Sequence, residues 1–303
     1  MVELRHLVYF RTVAQLGSIA KAAAALHMTQ PTLSRQIARL ERTLGHRLLQ
    51  RTSRGTTLTP AGEGLRRHVE AILELTDRIP DVLRDAEAGG RTIHIGIPPG
   101  LPHDWFAAFT EALRGIAPTV HVAVREATSE AQRGLLHGGV IDIGLLHTEP
   151  RELRSVEVLT QRFGCAVRDP DRFAGRTSLT LEDLAGLRVL AHSDQDSPGQ
   201  EARLRATAQA LDAPIEWVFR RFSEHGQLIA STAGVDVALL AASSSRRHFP
   251  QWRWIPLDLS DEVNSVVRTW AAWADPDLPD LQPCLAAMRT ASERTAAADR
   301  LPA

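Results

Sequence analysis

One stretch, Thr29 to Leu44, constrains the fold of this chain more than any other. Four apolar residues in it are spaced 4, 3 and 4 apart, within about 60° of one another on a helical wheel: Leu33, Ile37, Leu40 and Leu44. The opposite face is basic and hydroxylic, with no acid before Glu41. Thr29 is a suitable N-cap, and Pro31 falls in the first turn, where a missing N–H does no harm. The pattern predicts a short helix whose basic face suits a major groove.

The distribution of charge separates the first 60 residues from the rest. The net charge of the 303-residue chain is −1, which taken alone argues against a nucleic-acid partner. Residues 1–60, however, hold nine Lys and Arg against two acids, so they carry +7 and leave −8 for the remainder. A basic segment on an acidic body is typical of a DNA-binding head on a carrier domain.

The residues around this helix predict a winged helix-turn-helix. A first helix begins near Leu4 and is closed by Gly17, and Ser18 caps a second helix, Ile19 to Leu26. A tight turn then leads into the basic helix. Two short strands, 48–49 and 57–58, follow, with 53–55 between them as the tip of a wing.

From these residues onward the sequence resembles LysR-type transcriptional regulators. The matched positions are Ala22, Ala23, Leu26, Thr29, Gln30, Pro31, Thr32, Leu33, Ser34, Ile37, Leu40, Glu41, Leu44, Gly45, Leu48 and Arg51, followed by Thr59-Pro60-Ala61-Gly62. Leu49 departs from the pattern, since the family more often has Phe there. The resemblance implies a DNA-binding head at 1–59 and a linker helix at 60–89 that pairs two subunits.

The linker carries a regular apolar seam and one residue that disturbs it. Residues 65, 69, 72, 76, 79, 83 and 86 keep a 4-3-4-3-4-3 spacing, which predicts a long helix packed on a partner. Pro80 lacks the N–H that would bond the carbonyl of Thr76. We expect a kink at 76–80 or a helix that stops there.

Beyond Arg91 strands and helices alternate, which predicts an α/β fold with a parallel sheet and helical crossovers. Strands are predicted at 92–97, 120–125, 141–146, 157–160, 164–167, 188–191, 216–219 and 236–240, with a return strand at 263–272. Helices are predicted at 102–117, 129–137, 181–184, 199–211, 225–232 and 278–297.

This part resembles the family's effector-binding domain, at 90–303, which is built like periplasmic solute-binding proteins. The resemblance implies one subdomain at about 90–161 and 264–303 and another at about 162–263. Supporting residues are Ile95-Gly96, Leu136, Gly139, Asp142, Leu181, Leu184, Gly186, Ala233-Gly234 and Val237 to Leu240. Asp236 and Ala241 depart from the usual Gly and Pro, so the rim of the second subdomain is expected to differ.

Candidate DNA contacts cluster on the basic helix and the wing. Gln pairs well with adenine and Arg with guanine, whereas wing arginines suit phosphates or a narrow minor groove. The candidates are Ser18, Thr29, Gln30, Pro31, Thr32, Ser34, Arg35, Arg39, Arg51 and Arg54. The sequence leaves open which of them contact bases. A solvated helix face in a protein-binding domain is the alternative.

Candidate effector contacts follow the carboxyl ends of strands and the starts of helices, where backbone N–H groups favour anions. They are Pro98, Pro99, Gly100, Leu101, Thr128, Ser129, His147, Ser193, Phe222 and His225. A hydroxyl pair would suit a carboxylate, although Thr128 and Ser129 equally suit capping of their own helix. Two consecutive prolines remove two donors, which favours a more apolar effector, such as an aromatic acid.

Several classes of function have little support. Cys165 and Cys284 are far apart without metal spacing, and we interpret both as buried structural cysteines. His147, His192 and His225 fit no metal-binding spacing, and no cofactor is expected. Nucleophile-elbow and dinucleotide-binding motifs are absent, which argues against an enzyme. Residues 1–25 lack an apolar signal core and no run approaches 18 apolar residues, so a cytoplasmic protein without membrane contact is expected.

The sequence therefore predicts a regulator that binds double-stranded DNA under the control of a small-molecule effector bound between two subdomains. The resemblance implies a homodimer, a homotetramer as the working form, and RNA polymerase as a further partner. An enzyme or solute-binding module with a vestigial head is the competing interpretation. Effector, promoters and sign of regulation stay open.

Overall fold

The computed structural model describes residues 1–52, 55–193, 199–220, 225–259 and 266–298. The chain forms two compact units, residues 1–89 with 134–140 and residues 90–133 with 141–303. Among these described residues, one hydrophobic cluster lies in the first unit and three lie in the second.

The first unit begins with three helices and a two-stranded hairpin. These are α1 (Leu4–Leu16), α2 (Ile19–Ala25), α3 (Gln30–Leu44), β1 (Leu49–Thr52) and β2 (Gly55–Leu58). Left-handed Gly17 and Gly45 end α1 and α3. The apolar stripe of α3 is buried at Leu33, Ile37 and Leu40. The predicted helix-turn-helix is confirmed, and the hairpin strands are longer than predicted because their pairing extends from Leu49–Leu58 to Thr52–Gly55.

The linker consists of two helices, α4 (Pro60–Asp77) and α5 (Ile79–Ala88). The expected break near Pro80 is confirmed, because α4 ends before Arg78 and Pro80 lies in the first turn of α5. The prediction of one seam facing a partner is wrong for its first half. Leu65 and Val69 instead pack into the cluster formed by α1, α2 and α3.

The second unit is a mixed α/β fold. Its helices are α6 (His103–Ile116), α7 (Ser129–His137), α8 (Gln200–Ala210), α9 (Gly226–Thr232), α10 (Ala242–His248) and α11 (Leu281–Ala298). Its strands are β3 (Arg91–Ile97), β4 (Val120–Glu126), β5 (Ile143–Leu146), β6 (Arg154–Val167), β7 (Arg188–His192), β8 (Glu216–Arg220), β9 (Val237–Ala241), β10 (Arg253–Pro256) and β11 (Val266–Trp273). Short 3-10 turns lie at Pro170–Phe173 and Glu182–Leu184.

The strands follow the order β4-β3-β5-β11-β6-β9-β7-β8, with β10 beside β6. β3, β4 and β5 are parallel to one another, as are β7, β8 and β9. β6 runs antiparallel to β9, β10 and β11. The predicted parallel strands with helical crossovers are present, and the predicted return strand is β11; the sequence prediction did not show that β6 is also antiparallel and that both strands lie in the middle of the sheet.

β6 joins the two sets of parallel strands. Two strands were predicted in this region, at 157–160 and 164–167, whereas the structure has one strand of 14 residues. Its first part, to Arg162, pairs with β11, and its last part, from Phe163, pairs with β9. The change of partner between adjacent residues places side chains from both halves of the unit next to each other.

Two elements of the second unit were missed by the sequence prediction. α10 contains three consecutive serines, which have only modest helix propensity, and β10 has only four residues. Both pack on β6, and Trp254 of β10 also donates its indole N–H to the carbonyl of Leu240 on β9 over 3.1 Å. Tertiary contacts of this kind, more than local propensity, determine that these residues form a helix and a strand.

Candidate DNA interface and effector cavity

The predicted recognition face lies on α3 and is largely open to solvent. Gln30, Pro31, Arg35 and Arg39 are exposed, and Thr32 and Ser34 are half-buried. The apolar stripe holds α3 against α1, so the basic side chains must project outward. The structure thus brings the α3 candidates together on one accessible surface.

Three hydroxyl groups among the candidates lie at helix N-termini, and of these only the Ser18 hydroxyl caps its helix with a hydrogen bond. Ser18 caps α2, its hydroxyl accepting from the Lys21 N–H at 3.4 Å. Thr29 is the N-cap residue of α3, and its hydroxyl lies 2.7 Å from that of Thr32. Ser18 and Thr29 therefore have local structural roles that any DNA contact would share.

Arg39 has an acidic neighbour within the same unit. Glu3 forms an ion pair with Arg5 at 2.6 Å and approaches Arg39 at 3.7 Å. All three side chains are at least one-third exposed, so these pairs are weak. Glu3 therefore holds the Arg39 side chain only weakly.

The wing candidates are only partly described. Arg51 lies on β1, opposite Thr56 of β2, and Arg54 lies outside the described residues. The N–H of Thr56 donates to the carbonyl of Gly17 at 2.9 Å, which ties the hairpin to the end of α1.

Two further side chains, to which the sequence prediction assigned no role, hold the head together through hydrogen bonds. The carboxylate of Glu41 accepts from the N–H of Leu48 at 2.8 Å and of Leu49 at 3.1 Å. His6, buried in α1, accepts the Glu3 N–H at Nδ1, so its Nε2 donates to the Gln36 side chain at 3.2 Å. The signal for Glu41 was available, because it is the one acid in an otherwise basic helix.

A small cavity of about 60 Å³ lies in the second unit where the strands β5, β6, β7, β9 and β11 converge. It is lined by Pro99, Gly100, His147, Gln161, Phe163, His192, Gln200, Leu240, Ala241, Ser244 and Val267. Strand pairing explains the grouping, because Gln161 pairs with Val267 and Phe163 pairs with Ala241. None of these lining residues is Lys, Arg, Asp or Glu.

Three of the ten predicted effector contacts line this cavity: Pro99, Gly100 and His147. Pro98 is buried, and Leu101 packs against the core. Ser193 donates its backbone N–H to the carbonyl of Arg220. His225 is exposed before α9, and Phe222 lies outside the described residues.

The predicted hydroxyl pair has structural partners. The Thr128 hydroxyl accepts from the N–H of Ala131 at 3.3 Å and so caps α7. The Ser129 hydroxyl accepts from the N–H of His147 at 3.0 Å and is buried. Ser129 therefore positions His147 instead of facing the cavity.

Sequence reasoning missed the cavity residues from the antiparallel strands and α10. A rule that looks only at the ends of parallel strands cannot find Gln161 or Val267. One signal was present: Gln161 is a polar residue next to the apolar run of β6, and it is buried with its amide donating to the Ser243 hydroxyl at 2.7 Å. Of the two family departures, Ala241 lines the cavity, whereas Asp236 ties β7 and Arg168 together before β9 begins.

His147 is held in one tautomer. Its Nε2 lies 3.3 Å from the carbonyl of Pro99 and must donate to it, so its Nδ1 accepts from the Thr269 hydroxyl, also at 3.3 Å. Burial lowers the pKa of His147 below 6.5, the carbonyls of Pro99 and Arg268 oppose that change, and the nearby His192 adds to it. The neutral imidazole is therefore the favoured form.

The two cysteines are buried and their thiols are disfavoured as thiolates. Burial raises the pKa of Cys284 to about 12, and it raises the pKa of Cys165 further. Neither has the low-pKa, accessible thiol of a redox sensor. Within the described part of the chain, no three His, Cys, Asp or Glu side chains are grouped as a metal would require, and no helix has the length and apolar character to span a bilayer.

Comparison with known proteins agrees with both parts of the chain. Residues 4–63 match the model of the bacterial regulatory helix-turn-helix protein, lysR family, and residues 86–292 match the LysR substrate binding domain. The chain is 34% identical over 283 residues to the HTH-type transcriptional regulator BenM of Acinetobacter baylyi, covering 88% of each. It is 29% identical over 280 residues to the uncharacterized HTH-type transcriptional regulator YnfL of Escherichia coli, covering 90% of this chain and 92% of that protein.

Solved structures show the same fold. CbnR, a LysR family transcriptional regulator, has a TM-score of 0.71 at 22% identity, with 97% of this chain and 99% of that chain covered. Full-length CbnR complexed with its target DNA also has a TM-score of 0.71, at 23% identity, with 97% and 100% covered. Since the substrate-binding model alone matches more than half of the chain, this protein belongs to the LysR family, as a sequence-specific DNA-binding transcriptional regulator with an effector-binding domain and not as an enzyme.

Proposed function

We propose that α3 reads DNA in the major groove and that the cavity of the second unit holds the effector. The observation that carries the first part is the exposed basic face of α3. Gln30 and Arg35 are the proposed base contacts, because amide and guanidinium groups form bidentate pairs with adenine and guanine. Thr32, Ser34, Arg39 and Arg51 are the proposed phosphate contacts, with Pro31 packed beside them.

A gel shift on the DNA upstream of the protein's own gene tests this assignment. Arg35→Ala and Gln30→Ala should each weaken binding by about 1–3 kcal/mol and relax the preference at one base pair. Arg39→Ala should weaken binding to all DNA sequences alike. It should also reduce the slope of log affinity against log salt concentration by about one. Arg66→Ala, on the exposed side of α4 and paired with Glu63, is the matched control. The α3 assignment fails if Arg35→Ala and Gln30→Ala both bind like the wild type.

We further propose that the chain works as a homodimer joined through the linker, and as a tetramer on DNA. Five large apolar side chains of α4 and α5 are exposed within the chain, between 42% and 61%: Ile72, Leu75, Ile79, Val82 and Leu83. Such a continuous apolar face calls for a partner. Two heads on one dimer would then contact successive major grooves of a partly palindromic site.

The oligomer proposal has a direct test by light scattering at micromolar concentration. Ile79→Asp with Val82→Asp should yield monomers that bind DNA far more weakly, since the two heads lose their coupling. The exposed polar change Glu87→Gln should leave the assembly as it is. The linker interface would be disproved if the double variant had the same oligomer mass in solution as the wild type.

The effector proposal rests on a cavity lined by residues from both halves of the second unit. A bound compound that prefers one arrangement of those halves would shift the equilibrium between DNA-bound states. We propose a carboxylate or an aromatic acid as the effector, the cytoplasm as the compartment and RNA polymerase as a further partner. Thermal shift against a panel of acids tests the first point, because a true ligand raises the unfolding midpoint by mass action.

A further inference from the structure

The cavity contains two histidines and, among its described lining residues, no permanently charged side chain. His147 follows β5 and His192 ends β7, so each comes from a different half of the second unit. Burial favours the neutral form of His147, and charge on the nearby His192 would oppose charge on His147. The imidazolium form of His147 therefore needs a negative charge to enter the cavity.

The surroundings of His147 can accept a second N–H without rearrangement of the backbone. Its Nε2 already donates to the carbonyl of Pro99. Its Nδ1 faces the Thr269 hydroxyl, which can turn to accept, and the carbonyl of Arg268 is also a neighbour. The imidazolium would thus have an oxygen acceptor on each side.

Other charged groups near His147 have partners elsewhere. On β11, the Arg268 side chain approaches Glu157 at 3.6 Å. On α7, Arg133 approaches Glu152 at 3.3 Å, and Glu130 is exposed. From β6, α8 and α10 the cavity receives Gln161, Phe163, Gln200 and Ser244, which do not titrate in the physiological range.

The volume of the cavity limits the size of the ligand that it can hold. About 60 Å³ accommodates roughly four to six water-sized groups if each needs about 10–15 Å³. A short carboxylate fits this volume, whereas an aromatic acid needs more room. The buried Oε1 of Gln200 has no hydrogen-bond partner among the described residues, so it can accept from a hydroxyl of the ligand.

We propose that this cavity binds a short-chain monocarboxylate and that His147 takes up one proton from solvent when the anion binds. This inference rests on the proposed effector function of the cavity. The carboxylate supplies the negative charge that the described lining residues lack, and this charge stabilises the imidazolium across the cavity while its two N–H groups stay bonded to Pro99 and Thr269. Occupancy of the cavity then depends on both the concentration of the acid and the pH, and the affinity falls as pH rises.

Isothermal titration of the full-length protein with acetate, lactate, butyrate and benzoate tests the proposal. The titrations are run at pH 7 in PIPES and in Tris, whose ionisation enthalpies differ. The difference in observed heat gives the number of protons taken up, which should be close to one for the short acids. Their affinity should fall up to about tenfold per pH unit above neutrality, and benzoate should bind more weakly.

His147→Asn should abolish proton uptake and weaken acetate binding at least tenfold while the protein keeps its unfolding midpoint. His121→Asn, an exposed histidine on β4, should behave like the wild type in both respects. If His147→Asn unfolds, the wild-type buffer comparison still decides the proposal. Binding of a short acid without proton uptake overturns the proton step, and tighter binding of benzoate overturns the ligand class; both leave the effector site standing. Absence of any binding of these four acids in the millimolar range overturns the proposal, and the thermal-shift panel of further acids then decides whether the cavity is an effector site. The gel shift tests DNA recognition separately.

Discussion

The carboxylate of Glu41, on the basic helix, accepts the backbone N–H of Leu48 at 2.8 Å, just before the wing begins. The same oxygen accepts the N–H of Leu49 at 3.1 Å. These two bonds link α3 directly to the start of the hairpin, in addition to the bond from Thr56 to Gly17 and the shared hydrophobic cluster. A carboxylate in this place also explains why the basic face has an acid near its end.

Replacing Glu41 should therefore loosen the wing more than it changes the charge. Glu41→Gln should destabilise the head by about 1–3 kcal/mol, because the N–H groups of Leu48 and Leu49 both lose a charged acceptor. Hydrogen exchange measured by mass spectrometry should show faster exchange at Leu48 and Leu49. Glu63→Gln, which removes only an exposed pair with Arg66, serves as the control. Unchanged exchange at 48–52 in the Glu41 variant would disprove the link.

Gly62 should tolerate no side chain. A Cβ on Gly62 would lie 2.1 Å from the carbonyl oxygen of Leu48, a backbone atom that cannot move aside cheaply. Gly62→Ala should lower the stability of the head by about 3 kcal/mol or more, by analogy with severe overpacking. Two residues away, a Cβ on Gly64 meets nothing within 4 Å, so Gly64→Ala should stabilise α4 by about 0.5–1 kcal/mol. Circular dichroism of thermal unfolding compares the pair, and equal midpoints would contradict the close contact.

The cysteines should be inert in the folded protein. Since burial raises the pKa of Cys284 to about 12 and that of Cys165 further, the thiolate fraction at pH 8 is very small. Ellman's reagent should label neither thiol over minutes and should label both at once in guanidinium chloride. Rapid labelling of the native protein would instead point to a redox role.

His147 should make stability depend on pH. Its pKa is lowered in the folded protein from about 6.5, so below that pH the unfolded chain binds a proton that the folded chain excludes. The free energy of unfolding should therefore fall as pH drops from 7 to 5, by about 1.4 kcal/mol for each unit by which folding lowers the pKa of His147. His147→Asn should show a shallower loss than the wild type, with His121→Asn as the reference. Adding acetate should offset part of the wild-type loss if the anion favours the imidazolium.

The α3 face could be predicted because a helix of period 3.6 fixes which residues share a side. Once Leu33, Ile37 and Leu40 are buried, Arg35 and Arg39 have to face solvent. The break near Pro80 was equally local, since a missing N–H acts within one turn. The residues that line the cavity could not be predicted from local patterns in the same way. Gln161 and Val267 meet through the pairing of two antiparallel strands about a hundred residues apart, and no local pattern encodes which strands pair.

The sequence by itself determined the family, the helix-turn-helix and the alternation of strands and helices, because these follow from local periodicity, caps and a specific run of residues. Only the tertiary structure decided that β6 is one strand serving both halves of the second unit, that Leu65 and Val69 belong to the head and not to a partner, and that Ser129 holds His147 instead of facing the cavity. The physical reason is that long-range strand pairing and packing choose among contacts that are equally compatible with the local pattern. For Thr29–Leu44, local pattern and packing agree, which is why the recognition helix could be read from the sequence.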